Sequence, residues 1–221
     1  MVAEPTVFVV DDDADLRMSV QWLLSKEGLE VKTYPSAERF LAEYDPQWPG
    51  CVLADLRLAG MSGLELQQKM IERQWTTPLI ILTGHGDVPV AVRALEAGAV
   101  AFMEKPFKRE VLLNRISEAL EHDAAVRQQR ARRAHVEGCL ALLTPRERQV
   151  MQMVVAGTPN RQIARGLAVS ERTIEVHRAR MMKKMQADSL ADLVVLAVQC
   201  GVRHSEAHAF VSPRDRPPSP A

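Results

Sequence analysis

Aspartates crowd the start of this chain: VFVVDDDAD sets Asp11, Asp12, Asp13 and Asp15 directly behind the apolar run from Val7 to Val10. Like charges side by side repel, and ionised groups at the edge of a core lose hydration, so a positive partner is expected there. Further downstream, residues of fitting chemistry end other apolar runs. Asp55 follows CVLA (51–54), Thr83 closes LIILT (79–83), and Lys105 follows VAFME (100–104). If these runs are parallel strands, their carboxyl ends share one rim, which is where ligands bind in such sheets. Three carboxylates, a hydroxyl and an ammonium then converge. Hard oxygen donors with room for water suit Mg²⁺, and a Mg²⁺ so held binds phosphoryl oxygens. Asp55 is the candidate nucleophile, a carboxylate able to form an aspartyl phosphate, while Lys105 and Thr83 could meet phosphoryl oxygens.

Simpler roles account for part of the cluster. Asp13 fits a helix cap and Asp15 a first-turn charge at the positive helix end. The spacing Asp11-x-Asp13-x-Asp15 also mimics the opening of an EF-hand loop, but Leu16 stands where that loop needs Gly and Trp22 where it needs Glu. The EF-hand reading fails.

The elements that must position these residues alternate between two periodicities. Strand-like runs at 6–10, 31–34, 51–54, 79–83 and 100–104 are separated by stretches with helical spacing, such as Leu16, Val20, Leu23 and Leu24. Ser36 and Asp87 are candidate caps for the second and fourth of these helices. Five βα units in a row, with strands apolar at nearly every position, predict a doubly wound five-stranded parallel sheet covered on both faces. From His122 to about His135 the chain turns polar and basic, which reads as an exposed helical linker. Helix signals without strands follow Leu140, and VSPRDRPPSPA reads as a disordered tail.

Charge divides the 221 residues. Residues 1–120 hold 12 Lys and Arg against 18 Asp and Glu, a net −6, and the remainder holds the opposite +6. A cation-requiring first half and a polyanion-binding second half follow. Cys51, Cys139 and Cys200 are too few and too scattered for a disulfide framework or a CxxC site. No apolar run reaches bilayer length and MVAEPT has no signal-peptide pattern, so a cytoplasmic protein with no membrane partner is expected.

VVDDD, ADLRLAGMSGLEL, ILTGHGDVPVAV and FMEKPF together resemble the receiver domain of two-component response regulators, in the NarL/FixJ branch. The resemblance implies a flavodoxin-like fold, with Asp11 and Asp12 as the acidic pair, Asp55 as phosphoacceptor and the Arg57 backbone carbonyl as a further Mg²⁺ ligand. It also implies Thr83 as switch hydroxyl, Phe102 as switch aromatic, and Lys105 as the lysine preceding a cis proline. Taken by itself, Phe102 reads as core.

The basic half opens on LTPRERQVMQMVVAG, with Thr144 as cap, Pro145 in the first helical position and Glu147 completing a capping box. Asn160 is a candidate cap for a second helix and Ser170 for a third, SERTIEVHRARMMKKM. The short LAVS link suits a helix-turn-helix. Ile174, Met181 and Met185 share a core-facing side. The opposite side carries Arg172, Thr173, Glu175, Val176, Arg178, Arg180, Lys183 and Lys184, candidate contacts to phosphates and base edges. Residues 140–200 resemble the LuxR-type four-helix DNA-binding domain of the same branch. His177 is expected to pack or to bond backbone.

The organisation expected is a receiver at 1–120, a helical linker at 121–140, an all-α helix-turn-helix domain at 141–202 and a tail at 203–221. The function expected is a regulator, not an enzyme, that takes a phosphoryl group from a sensor histidine kinase on Asp55 with Mg²⁺, forms a homodimer and binds double-stranded promoter DNA, with RNA polymerase a further partner. An aspartyl-phosphate phosphatase is the rival, although Asp15 stands where its Asp-x-Asp-x-Thr/Val signature needs Thr or Val. A phosphorylation-independent interaction module is another, and the full set of aspartates speaks against it.

Overall fold

A computed structural model describes residues 4–84 and 88–199. Two compact units divide the chain, Met1–Gln128 and Gln129–Ala221, and each is taken by itself. In the first, β1 (Thr6–Val10), β2 (Glu30–Tyr34), β3 (Gly50–Asp55), β4 (Leu79–Thr83) and β5 (Ala101–Glu104) alternate with α1 (Ala14–Lys26), α2 (Ala37–Glu43), α3 (Gly63–Glu72), α4 (Val88–Glu96) and α5 (Arg109–Ala141). The strands form one parallel sheet in the order β2-β1-β3-β4-β5. This is the expected doubly wound α/β fold, and the strand order reverses between β1 and β3.

Side-chain alternation along the strands builds two cores. Phe8 and Val10 of β1 join Val52, Ala54 and Ile81 under α2, α3 and α4, with Phe40, Leu66 and Ala94 facing them. Val7 and Val9 point the other way with Leu53, Ile80 and Leu82, beneath α1 and α5, which contribute Leu24, Leu112 and Ile116. Apolar side chains on both faces explain why these strands read as unbroken hydrophobic runs.

Helix starts follow the expected chemistry at most positions. Asp13 caps α1, its carboxylate accepting from the N–H groups of Asp15 and Leu16, and Ser36 caps α2. A capping box at Ser62 and Glu65 opens α3. The cap expected at Asp87 lies outside the described residues, as does the C-terminal tail.

One difference concerns α5. It continues without a break from Arg109 to Ala141, 33 residues, so the linker is helical as expected but forms one helix with the fifth helix of the receiver. No Gly or Pro interrupts it before Gly138, so nothing stops the backbone. Nor is that stretch uniformly exposed, because Asp123 is buried.

The second unit comprises the end of α5 with α6 (Pro145–Val155), α7 (Asn160–Gly166), α8 (Glu171–Met185) and α9 (Leu190–Gln199). Val136, Val150, Met151, Ile163, Leu193 and the expected Ile174, Met181 and Met185 close its core. The Thr144 capping box is present, with Pro145 in the first turn of α6, and Ser170 caps α8. Asn160 does not cap α7. Pro159 takes that position, with no side-chain cap bond, and Asn160 becomes the first helical residue.

Candidate functional site

Parallel register brings the expected residues to one rim. Val10 lies beside Ala54, Asp55 beside Leu82 and Thr83 beside Glu104, so the residues that follow these strands share an edge. One carboxylate oxygen from each of Asp11, Asp12 and Asp55 lies within 4.8 Å of the others. The reversal of strand order places this cluster where the connections from β1 and β3 leave in opposite directions.

Lys105 is the cation of the site. Its Nζ donates to Asp11 Oδ2 at 2.8 Å and lies 3.3 Å from Asp55 Oδ1. The side chain is 20 % exposed, against 2 % for Asp11 and 13 % for Asp55. Its hydrogen bond goes to Asp11. The contact with Asp55 is longer, and among the described residues Asp55 Oδ1 is a buried oxygen with no hydrogen bond of good geometry.

Burial pushes the Asp55 carboxyl above its ordinary range. The Lys105 ammonium opposes that rise, the charge of Asp11 adds to it, and the nearby Arg57 backbone N–H lowers it. The group is therefore short of positive charge. A divalent cation fits that need: hard oxygens from three carboxylates converge, and one is buried with no hydrogen bond of good geometry.

Thr83, fully buried, ends β4, and its carbonyl accepts from the Lys105 N–H at 2.7 Å. Phe102 on β5, register partner of Ile81, is partly buried against the α2–α4 core. Arg57 is exposed in the loop after β3. The Lys105–Pro106 peptide is cis, as expected.

Two supports were not foreseen. Arg17 on α1 donates from Nη1 to the Asp11 carbonyl oxygen at 2.6 Å, fixing the turn that presents the acidic pair. Gly63 lies so close under Asp55 that a Cβ there would stand 2.5 Å from the Asp55 carbonyl oxygen. The second was partly visible, since SGLE places a glycine at the first helical position after the Ser62 cap. The first joins residues six apart across the β1–α1 turn, a geometry that residue type and periodicity do not mark.

In the second unit, α8 presents Arg172, Glu175, Val176, Arg180 and Lys183 to solvent, while Thr173 is half-buried beside the Ser170 hydroxyl. Two other candidates are engaged within the domain. Arg178 donates to Asn160 Oδ1 at 2.9 Å, and Lys184 Nζ donates to Glu147 Oε2 at 2.6 Å. Those bonds hold the Lys184 ammonium toward α6. Among the described residues His177 Nδ1 is buried with no hydrogen-bond partner, so the ring packs.

Both units match known families. The profile for "Response regulator receiver domain" covers residues 7–117, and that for "Bacterial regulatory proteins, luxR family" covers 141–197. The chain belongs to the two-component response regulators of the NarL/FixJ family. Such a regulator joins a receiver to a LuxR-type DNA-binding domain, and its control of transcription depends on phosphorylation. A histidine kinase is the partner of the first domain and DNA that of the second. Among relatives of this NarL/FixJ regulator, "Transcriptional regulatory protein FixJ" of Bradyrhizobium diazoefficiens is 42 % identical over 202 residues, covering 91 % of this chain and 98 % of that one. FixJ of Rhizobium meliloti is 44 % identical over 196 residues, covering 89 % and 96 %. Among solved structures, the response regulator StyR aligns with a TM-score of 0.84 at 42 % identity, over 89 % of this chain and all of that one. Full-length FixJ from B. japonicum aligns at 0.56 and 42 % identity, over 91 % and 99 %. The phosphatase reading falls with the LuxR-type match. Among the described residues no helix is long and apolar enough to cross a membrane.

Proposed function

We propose that this regulator accepts a phosphoryl group on Asp55 from a sensor histidine kinase and answers by pairing with a second copy on promoter DNA. The observation that carries the reading is the meeting of Asp11, Asp12 and Asp55 beside the single ammonium of Lys105. Asp11, Asp12, Asp55 and the Arg57 carbonyl would hold Mg²⁺. When bound, that ion offsets the negative charge of a phosphoryl group on its way to an oxygen nucleophile.

The chain's own residues do the rest. The Asp55 carboxylate attacks phosphorus, and the bond from phosphorus to the donor nitrogen breaks. Lys105 then shifts its ammonium from Asp11 toward a phosphoryl oxygen. The Thr83 hydroxyl turns to bond another, and Phe102 repacks into the space this leaves. These steps bias an existing equilibrium between inactive and active receivers. The face made by α4, β5 and the start of α5 is the proposed homodimer surface, and Val88, Val92, Leu95 and Val111 leave apolar side chains exposed along it.

Pairing two receivers raises the effective concentration of two DNA-binding units at a two-fold site. There Arg172, Thr173, Glu175, Val176, Arg180 and Lys183 are the residues proposed to touch DNA, with Arg178 added if its bond to Asn160 opens. RNA polymerase is a proposed further partner, and the cytoplasm the proposed location. The domain limits proposed are 1–120, 121–140, 141–202 and a tail at 203–221.

Asp55→Asn tests the reading. With acetyl phosphate and Mg²⁺ the wild-type chain should gain 80 Da on the peptide holding Asp55, dimerise and protect promoter DNA. The variant should do none of these. Phosphate-dependent dimerisation and protection by Asp55→Asn would overturn it.

A further inference from the structure

The loop from Leu56 to Ser62 carries the Arg57 peptide beside Asp55 and connects β3 to α3. Its base is fixed at both ends: the Leu56 N–H donates to the Leu82 carbonyl at 2.7 Å, and the Gly63 N–H to the Leu56 carbonyl at 3.0 Å. Leu58 and Met61 add partial apolar burial against the α2–α4 core. The tip is held from another element altogether. Glu38, in the first turn of α2, accepts the Met61 N–H on Oε1 at 2.9 Å.

A local helix role does not explain that reach. Its own backbone N–H, then the Met61 N–H and the Ser36 hydroxyl, hold the carboxylate below the usual range. Of these, the bond from Met61 crosses to the loop. Gly60 shapes the turn: its φ is +90°, a conformation that favours glycine, and the Glu38 carboxylate packs against it.

The Arg57 backbone N–H lies close enough to the Asp55 carboxylate to lower its pKa, so drift of the loop tip turns a peptide that neighbours the reacting group. We infer that Glu38 is a positioning residue for divalent-cation binding, which, by gripping Met61, keeps the Arg57 peptide ready in its binding orientation. The inference rests on the proposed metal reading. Without the grip, the ion must order the loop itself, and that entropy is subtracted from its affinity. One hydrogen bond to an exposed carboxylate corresponds to about a fivefold change in a dissociation constant.

The test titrates the full chain with MgCl₂ alone, without phosphodonor, following the amide resonances of Asp55, Leu56 and Arg57. Glu38→Ala should weaken the Mg²⁺ Kd about fivefold and speed hydrogen exchange at the Met61 amide. Its maximal acetyl-phosphate-driven phosphorylation rate, at saturating Mg²⁺, should stay at the wild-type level. Glu38→Gln keeps an oxygen acceptor for the Met61 N–H and should retain the wild-type Kd. An unchanged Kd in Glu38→Ala would overturn the inference. So would a Glu38→Gln variant as weak as Glu38→Ala, since that assigns the effect to charge rather than to the grip. A wild-type chain whose amides ignore Mg²⁺ would instead overturn the metal reading itself, an outcome told apart from the other two.

Discussion

Asp123 and Arg127 stand one turn apart on α5, and Arg127 Nε meets Asp123 Oδ2 at 2.7 Å with the carboxylate side chain only 3 % exposed. The pair does more than decorate the helix. Asp123 Oδ2 also accepts the Gly50 N–H at 2.9 Å, at the start of β3, and Arg127 donates to the carbonyls of Pro46, Gln47 and Trp48. The buried face of α5 thus continues past Leu112, Ile116 and Ala119 by ionic contact, where apolar residues run out.

Removing one partner strands the other's hydrogen-bonding groups, with a cost of about 3 kcal/mol for a pair this buried. Asp123→Ala should therefore lower the urea midpoint of the N-terminal unit. Cys51 gives a local probe. Its thiol is pushed up to about 12 by burial and by the Asp123 charge, so it should resist alkylation in the wild type. In the variant, mass spectrometry of the Cys51 peptide should find labelling accelerated by at least tenfold. Unchanged labelling would remove the pair from the account of β3.

Glu147 makes the C-terminal unit sensitive to acid. The Lys184 ammonium, then the Thr144 N–H, hold its carboxyl down at about 2 against an ordinary 4.5. The depressed value means that folding prefers the ionised form. Its contribution is complete above pH 4.5 and is lost as pH falls from there toward 2. Glu147→Gln should be destabilised at neutral pH by roughly 1–2 kcal/mol. The gap to wild type should close across that window, as thermal melts at stepped pH would show. A gap independent of pH would rule this out.

Lys183 and Lys184 are neighbours with different work. Lys183 is exposed, whereas Lys184 is tied to Glu147. Lys183→Ala should weaken DNA binding and reduce the salt dependence of log K by about 0.9. Lys184→Ala should leave that slope unchanged and lower the melting temperature of the helical unit. Fluorescence anisotropy at several salt concentrations separates the two, and equal slopes for both variants would contradict the assignment.

Gly63→Ala should place a methyl against the Asp55 backbone. The strand cannot yield without moving the carboxylate, so the rate of phosphorylation by acetyl phosphate should fall by about tenfold or more, which is ~1.4 kcal/mol of lost alignment. The hydrogen-exchange protection of β1 and β4 should persist. Wild-type phosphorylation by this variant would refute the claim.

Much of this was legible because the signals are local. Alternating apolar runs announced five βα units, and Thr144, Pro145 and Glu147 announced α6 within four residues. What stayed hidden was long-range. Lys184 reads as one more basic side chain until α6 brings Glu147 to it from 37 positions away. Asp123 and Arg127 read as solvated linker charge, since spacing along a helix says which residues share a face but not what that face meets. Asn160 reads as a cap, yet Pro159, with φ near −64°, takes the place one residue earlier and frees the amide oxygen for Arg178. The rim residues were found because a strand end is a position that sequence does mark.

The opposed facing of neighbouring residues in β1 has one more result. Phe8 and Val10 serve one core, Val7 and Val9 the other, and Asp11 follows at once. A single-residue insertion in this strand would exchange the occupants of the two cores and, in the same motion, carry the acidic pair off the rim. A frame error here has no benign form: the chain would lose its tertiary packing and its capacity to hold a phosphoryl group together.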